Sequence, residues 1–373
     1  MDLVHAGAMR TVGVEEEYVL VGSDGSPVAR ASAALALGDA VEGHRPSGDG
    51  GPGGDIEGEL VEQQIETSTP VCTELADIGV ELRAARRRTQ AAAERVGADI
   101  VAVGTSPLPV TVQIRSNERY DGIKELLALS AREQLTSGTH VHVGVADDEE
   151  GVRVIDRIRP WLSVLTALSA NSPYWQGEDS GYASYRSSVF GRWPSTGPTE
   201  LFGDAATYHA VVEGLVASGA ILDEAMVYFD ARLSARYPTV EVRVGDVMLE
   251  AEHAVTLAGL ARALVTTAAR SEEPPSPVRM EVLRLMGWRA ARSGIAEQLV
   301  SPVTFRPLPA SAVVAELLEH VGEALEETGD AAVVRDGVAH LAETNGARVQ
   351  REWFAQSGSL ATVVRRAHAR TVA

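Results

Sequence analysis

Four stretches of this chain alternate between apolar and polar positions with the period of two that an extended strand imposes on its side chains. The first, Thr11–Leu20, reads Thr-Val-Gly-Val-Glu-Glu-Glu-Tyr-Val-Leu and ends at the turn residues Gly22, Ser23, Asp24 and Gly25. It places Val12, Val14, Tyr18 and Leu20 on one face and Glu15 and Glu17 on the other, while Glu16 intrudes a charge on the apolar face. Glu59–Thr67 puts Val61 and Ile65 against Glu62, Gln64 and Glu66. Thr139–Val145 sets an unbroken valine face against His140 and His142, and Thr239–Val247 sets Val240, Val242 and Val244 against Glu241 and Arg243. A sheet built from these runs would pack its β-branched face on helices and turn its charged face into a cavity. Unpaired buried charges cost several kcal/mol each, so that cavity must be wet, metallated or ligand-filled.

Between the strands the period lengthens to that of helices. Thr73–Gly97 predicts a long helix whose Arg83, Arg86, Arg87 and Arg88 read as a solvated basic face. Asp99–Val103 is a short apolar strand leading into Gly104-Thr105-Ser106-Pro107, and Asn117 opens a further helix. Val152–Ala170 predicts a helix kinked at Pro160. Glu250–Arg270, Val278–Met286 and the chain from Ala310 onward are predicted helical. Two segments lack a period. Gly43–Asp55, with six glycines and two prolines, reads as a surface loop, either a tolerated insertion or a lid. Asn171–Gly203 carries Tyr174, Trp175, Tyr182, Tyr185, Phe190, Trp193 and Phe202, an aromatic density that argues for an ordered, functional loop. No repeat or compositional shift marks a second domain, so residues 1–373 are read as one catalytic domain.

Composition narrows the function classes. The 373 residues are 45% apolar with mean hydropathy near zero, which suits a globular chain with a sizeable core. No window approaches a membrane span, and Met1–Arg10 lacks the apolar core of a signal peptide. With one cysteine, Cys72, an internal disulfide is impossible, and a cytoplasmic location is expected. A net charge of −19 argues against a nucleic-acid surface.

The polar strand faces carry the candidate chemistry. Two residues of strand separate Glu15 and Glu17 by ~6.6 Å at their Cα atoms. If both are charged and sheltered they repel by roughly 3 kcal/mol. Such a pair suits ligands shared between hard metal ions; the alternative is a solvated acidic face. Carboxylates with one or two imidazoles favour Mg²⁺ or Mn²⁺ bridging nucleotide phosphates, and no close cysteine pairs offer a thiolate zinc site.

Seven segments carry a family resemblance: Gly13-Val14-Glu15-Glu16-Glu17; Glu66 with Thr69 and Cys72; Asn117-Glu118-Arg119-Tyr120; His140-Val141-His142-Val143-Gly144; Ser172-Pro173-Tyr174-Trp175-Gln176-Gly177 running to Arg186; Thr239-Val240-Glu241-Val242-Arg243; and Asn345-Gly346-Ala347-Arg348. In order, spacing and residue type they resemble the type-2 glutamate–cysteine ligases, carboxylate–amine ligases of the glutamine synthetase-like superfamily. The resemblance implies an α+β fold, an antiparallel sheet curled into a half-barrel with helices on its convex face. It also implies ligation of glutamate and cysteine through an acyl phosphate, with ATP and Mg²⁺ (or Mn²⁺) required. By the same resemblance Glu15, Glu17, Glu66, Glu241 and His140 or His142 would hold the metals. Arg243 and Arg186 would be catalytic, neutralising phosphate oxygens, and His140 and Tyr185 would join them in contacting the nucleotide. The expected partners are amino acids and ATP, with no nucleic acid or membrane, and a homodimer is possible. Ser106 stands where many members carry histidine. A ligase with another amine or acid substrate, a guanidino phosphotransferase and a non-catalytic nucleotide or amino-acid sensor are the competing readings.

Overall fold

The structure is a computed structural model describing residues 9–42 and 56–373; the glycine-rich segment Gly43–Asp55 lies outside the described residues. Its centre is a seven-stranded antiparallel sheet. The strands are β1 (Val12–Val21), β2 (Ile56–Gly58), β3 (Gln64–Ser68), β4 (Asp99–Val101), β5 (Gly138–Gly144), β6 (Ala231–Leu233) and β7 (Thr239–Asp246). Their order is β2-β3-β1-β5-β7-β6, and β4 pairs with β1 at its C-terminal end, Val19–Val21. The sheet stays open, because its edge strands β2 and β6 do not meet.

The alternating valines bury as their pattern demands. Val12 and Val14, Val141 and Val143, and Val240 and Val242 all lie in the main core. Helices Leu75–Glu94, Asp148–Ile158, Leu162–Ser169 and Ala251–Arg270 cover that face. Each fully buried valine contributes roughly 1.5–3 kcal/mol. Helix Ala251–Arg270 is buried around most of its circumference, as an apolar helix inside a layered core must be.

Local chemistry sets several boundaries. Asn117 caps helix Glu118–Leu127, its side chain accepting from the Tyr120 amide at 2.7 Å. Pro160 ends one helix at Ile158 and sits in a short 3₁₀ turn before the next begins at Leu162. The helix expected over 278–286 instead spans Met280–Ser293, beginning beyond Pro277 and stopping where Gly294 takes φ 55°.

Two readings of charge are corrected. Arg86 is not part of a solvated face: it is buried, and its guanidinium grips the buried Glu16 carboxylate at 2.9 and 2.5 Å. The remaining donors reach the carbonyls of Met248, Leu249 and Thr371, and the Tyr18 hydroxyl donates to Glu16 at 2.7 Å. Glu62 also departs from its expected place. Regular pairing in β3 starts only at Gln64, and Glu62 turns away to accept from the Ser32 amide and hydroxyl at the start of helix Ala31–Glu42.

The aromatic segment 171–203 is ordered. It contains a small hairpin, Tyr174–Trp175 with Glu178–Asp179, and a helix, Tyr185–Phe190. Asp246, at the end of β7, anchors it: the carboxylate accepts from the Asn171 amide and from the Ser172 and Ser184 hydroxyls at 2.7–2.8 Å. Ser106 is buried beside this segment and donates to the Leu108 carbonyl at 2.8 Å.

Candidate active site

Strand register assembles the polar face. Glu15 lies opposite His140, Glu17 opposite Glu66, and His142 opposite Glu241. Residues separated by as many as 226 positions thereby meet on one face of the sheet. Their ligand atoms form three overlapping groups, each within 4.8 Å: Glu17–Glu59–Glu66, Glu15–Glu66–His140 and Glu15–His142–Glu241. All six residues expected to hold metal fall in these groups.

The groups differ in charge balance. Burial opposes ionisation of Glu15, but His140 and His142 outweigh it and hold the carboxyl well below its usual range. Glu241 is similarly disfavoured by burial, yet Arg243 and Arg232 pull it down to about 2. Burial and then Arg243 push His140 down to about 4, keeping its imidazole neutral. His142 shifts the other way, its burial outweighed by Glu15 and Glu241. At the opposite end, burial and the Glu59 carboxylate push Glu17 up to about 8 and raise Glu66 well above normal. Glu66 and Glu59 also hydrogen-bond to one another, so this end holds protons where a cation could sit.

The donor set fits divalent ions. His142 Nε2 is buried 3.2 Å from Glu15 Oε1 and 4.0 Å from Glu241 Oε1, but is not aligned for a hydrogen bond with either. A buried imidazole nitrogen aimed between two carboxylates is what a coordinated ion would satisfy. Carboxylate-rich oxygen donors with an occasional imidazole suit Mg²⁺ or Mn²⁺.

The two expected arginines flank the carboxylates. Arg243 follows Glu241 by two residues on β7 and its Nη1 bonds Glu241 Oε1, with the guanidinium 5.8 Å from the Tyr228 ring centroid. Arg186 is buried, its Nη2 donating weakly to the Arg243 carbonyl at 3.4 Å and its guanidinium lying over Phe190. Neither Nε has a hydrogen-bond partner among the described residues, nor does the buried Ser137 hydroxyl. Unsatisfied buried donors mark a place for an anion. Tyr185 directly precedes Arg186 in helix Tyr185–Phe190, and its ring packs with Trp175 and Tyr182 at 5.9 and 5.6 Å.

Several contributors carried no legible signal. Glu59 reaches the acidic group only because the chain turns between β2 and β3. Arg232, on three-residue β6, pairs with Glu241 at 2.7 Å. Gly138 admits Arg186, since a Cβ there would come within 2.4 Å of its Nη2. The Gly138 amide also donates to Glu17 Oε2 at 2.5 Å. A glycine beginning a valine-rich strand was the available clue.

The architecture around the site is an open antiparallel sheet backed by helices. The fold matches a glutamate–cysteine ligase of Francisella tularensis, solved with AMP, at TM-score 0.68 and 12% identity, covering 98% of this chain and 89% of that one. A bifunctional glutathione synthetase of Pasteurella multocida matches at TM-score 0.68 and 17% identity, covering 97% of this chain and 52% of that one. The chain thus spans about half the length of the bifunctional protein. The model of glutamate-cysteine ligase family 2 matches residues 11–368, and the chain belongs to that family. Two relatives named "Putative glutamate--cysteine ligase" are each 51% identical: 2-1 of Streptomyces avermitilis, over 95% of this chain and 98% of its own length, and 2 of Streptomyces coelicolor, over 95% and 97%.

Proposed function

We propose that the protein joins a carboxylate to an amine at the expense of ATP, with glutamate and cysteine as the first substrates to test. One observation carries this reading: seven metal-type side chains and two arginines with unsatisfied Nε donors converge at a single sheet face. Family membership supports the same chemistry.

Glu15, Glu17, Glu66, His142 and Glu241 would hold divalent ions, with neutral His140 against Glu15. Bound Mg²⁺ or Mn²⁺ would neutralise triphosphate oxygens. In the reaction, a substrate carboxylate oxygen attacks the γ-phosphorus of ATP and the bond to ADP breaks. The amine then attacks the acyl carbon, the acyl–phosphate bond breaks with release of phosphate, and the amine loses a proton. Arg243 and Arg186 donate to the transferred phosphoryl oxygens, so catalysis is mostly positioning and charge stabilisation. The aromatic segment around Tyr174–Trp193 forms the amino-acid side of the pocket.

The test is release of ADP and phosphate in Mg²⁺ with a panel of amino-acid and amine pairs. Glu15→Gln, Glu241→Gln and Arg243→Ala are expected to lower turnover by roughly a hundredfold or more while leaving the far-ultraviolet circular dichroism unchanged. Wild-type turnover retained in any variant removes that residue from the mechanism. Tight ATP binding without turnover across the whole panel would overturn the ligase reading in favour of a sensor.

A further inference from the structure

Away from the polar face, on the helical side, a second group of metal-type ligands comes together. Glu250 precedes helix Ala251–Arg270, and His253 lies one turn along it, so both occupy the same side of the helix. His340, on helix Ala331–Thr344, completes the group. Glu250 Oε2 is 3.1 Å from His340 Nε2 and 3.8 Å from His253 Nε2, and the three ligand atoms lie within 4.8 Å of one another. The His253 side chain is 1% exposed and that of His340 45%, so one side of the group is walled in and the other opens to solvent.

We infer that Glu250, His253 and His340 form a second divalent-metal site, selective for a borderline transition ion such as Zn²⁺ rather than Mg²⁺. Two imidazoles and one carboxylate, with a fourth position open to water, match the donor set and coordination number Zn²⁺ adopts. The arrangement of charge is compatible. Arg370 pairs with the other Glu250 oxygen, Oε1, at 2.7 Å, which orients the carboxylate and leaves Oε2 facing the imidazoles. Thr344 Oγ1 lies 3.0 Å from His253 Nε2 and donates to the His340 carbonyl at 2.7 Å. Loading the site exchanges the His253–Thr344 contact for a coordinate bond, the neutral imidazole then carrying its proton on Nδ1.

The ion would cross-link two long helices just beyond the strand that carries Glu241 and Arg243. Such a cross-link stabilises the folded chain by mass action, independently of turnover.

The experiment is a Co²⁺ titration of the full chain, read by visible absorption in a large excess of Mg²⁺ to occupy the polar face. One tight equivalent with the intense bands of a four-coordinate site is expected, displaced by Zn²⁺. His340→Ala, at a half-exposed position, should fold normally and bind roughly a hundredfold more weakly. Glu15→Gln, which alters only the polar face, should keep the bands. The inference is overturned if no tight equivalent appears, if His340→Ala binds as wild type, or if Glu15→Gln abolishes the signal instead. His253→Gln is a second variant; should it fail to fold, His340→Ala alone decides.

Discussion

Gly138 and Asp230 show how single positions set the electrostatics of the polar face. A side chain at 138 would occupy the space of the Arg186 guanidinium, whose own burial already weakens its hold on a proton. Gly138→Ala is therefore expected to displace Arg186 by about an ångström and reduce kcat by roughly a hundredfold, with the melting temperature changed little. Steady-state kinetics beside a thermal melt checks this; unaltered kcat would mean Arg186 does not touch the reacting groups. Asp230 lies near Arg186, and burial pushes its carboxyl up to about 7, Arg186 offsetting only part of that cost. Because the folded value exceeds the unfolded one, the neutral acid is favoured at low pH, and its contribution to stability is lost between about pH 4 and pH 7. The full shift corresponds to ~4 kcal/mol, discounted to ~1–2 kcal/mol because the residue keeps partial contact with solvent. Asp230→Asn should raise stability at pH 8 by clearly more than at pH 5, where only part of the loss has occurred. Urea midpoints at the two pH values test it, and an equal shift at both would exclude the titration.

At the scale of elements, β1 joins two kinds of chemistry across one backbone. Glu15 and Glu17 lie on the polar face, while Glu16 faces the helical layer and meets Arg86 of helix Leu75–Glu94. Removing one partner from a buried pair strands the other charge in a medium that cannot solvate it. Arg86→Met is expected to cost about 3–5 kcal/mol, and Glu16→Leu combined with Arg86→Met much less, since the double variant buries no lone charge. Urea unfolding of the single and double variants measures both; equal destabilisation would show that packing rather than charge dominates. The pair also explains where sequence patterning loses its reach. A strand writes its two faces into the chain with period two, so Glu15, Glu17, His140, His142, Glu241 and Arg243 were legible as one polar surface. Arg86 was not, because a buried arginine on a helix with three arginine neighbours looks like a solvated one until its partner is placed. Glu62 misled for the converse reason, since the alternation through 59–63 belongs to a turn, not to paired strand. Glu59, Arg232 and Gly138 act through a turn, a three-residue strand and the absence of a side chain, none of which has a period.

For the molecule as a whole, the assembled polar face is a store of unfavourable charge built into a stable frame. The valine face and the helices behind it hold Glu15, Glu17, Glu59, Glu66 and Glu241 together, although the chain already carries a net charge of −19. His142, Arg232 and Arg243 balance the Glu241 end, whereas burial and mutual repulsion push Glu17 up to about 8 and raise Glu66 in the same direction. A divalent ion held there, as proposed, would compete with protons for these carboxylates and would be bound by the folded state alone, because the unfolded chain does not gather the ligands. At a concentration about a hundred times its dissociation constant, such an ion stabilises the fold by ~2.7 kcal/mol. Mg²⁺ should therefore raise the melting temperature at pH 8, and more so than at pH 6, where the proton on Glu17 resists displacement. Na⁺ at matched ionic strength should not reproduce the effect, since general screening acts weakly on sheltered charges. Glu15→Gln and Glu66→Gln should each shrink the Mg²⁺-dependent rise, whereas His340→Ala should leave it intact. A rise that Na⁺ matched, or that both carboxylate variants retained, would mean that the polar face is a solvated acidic surface and not a metal-holding one.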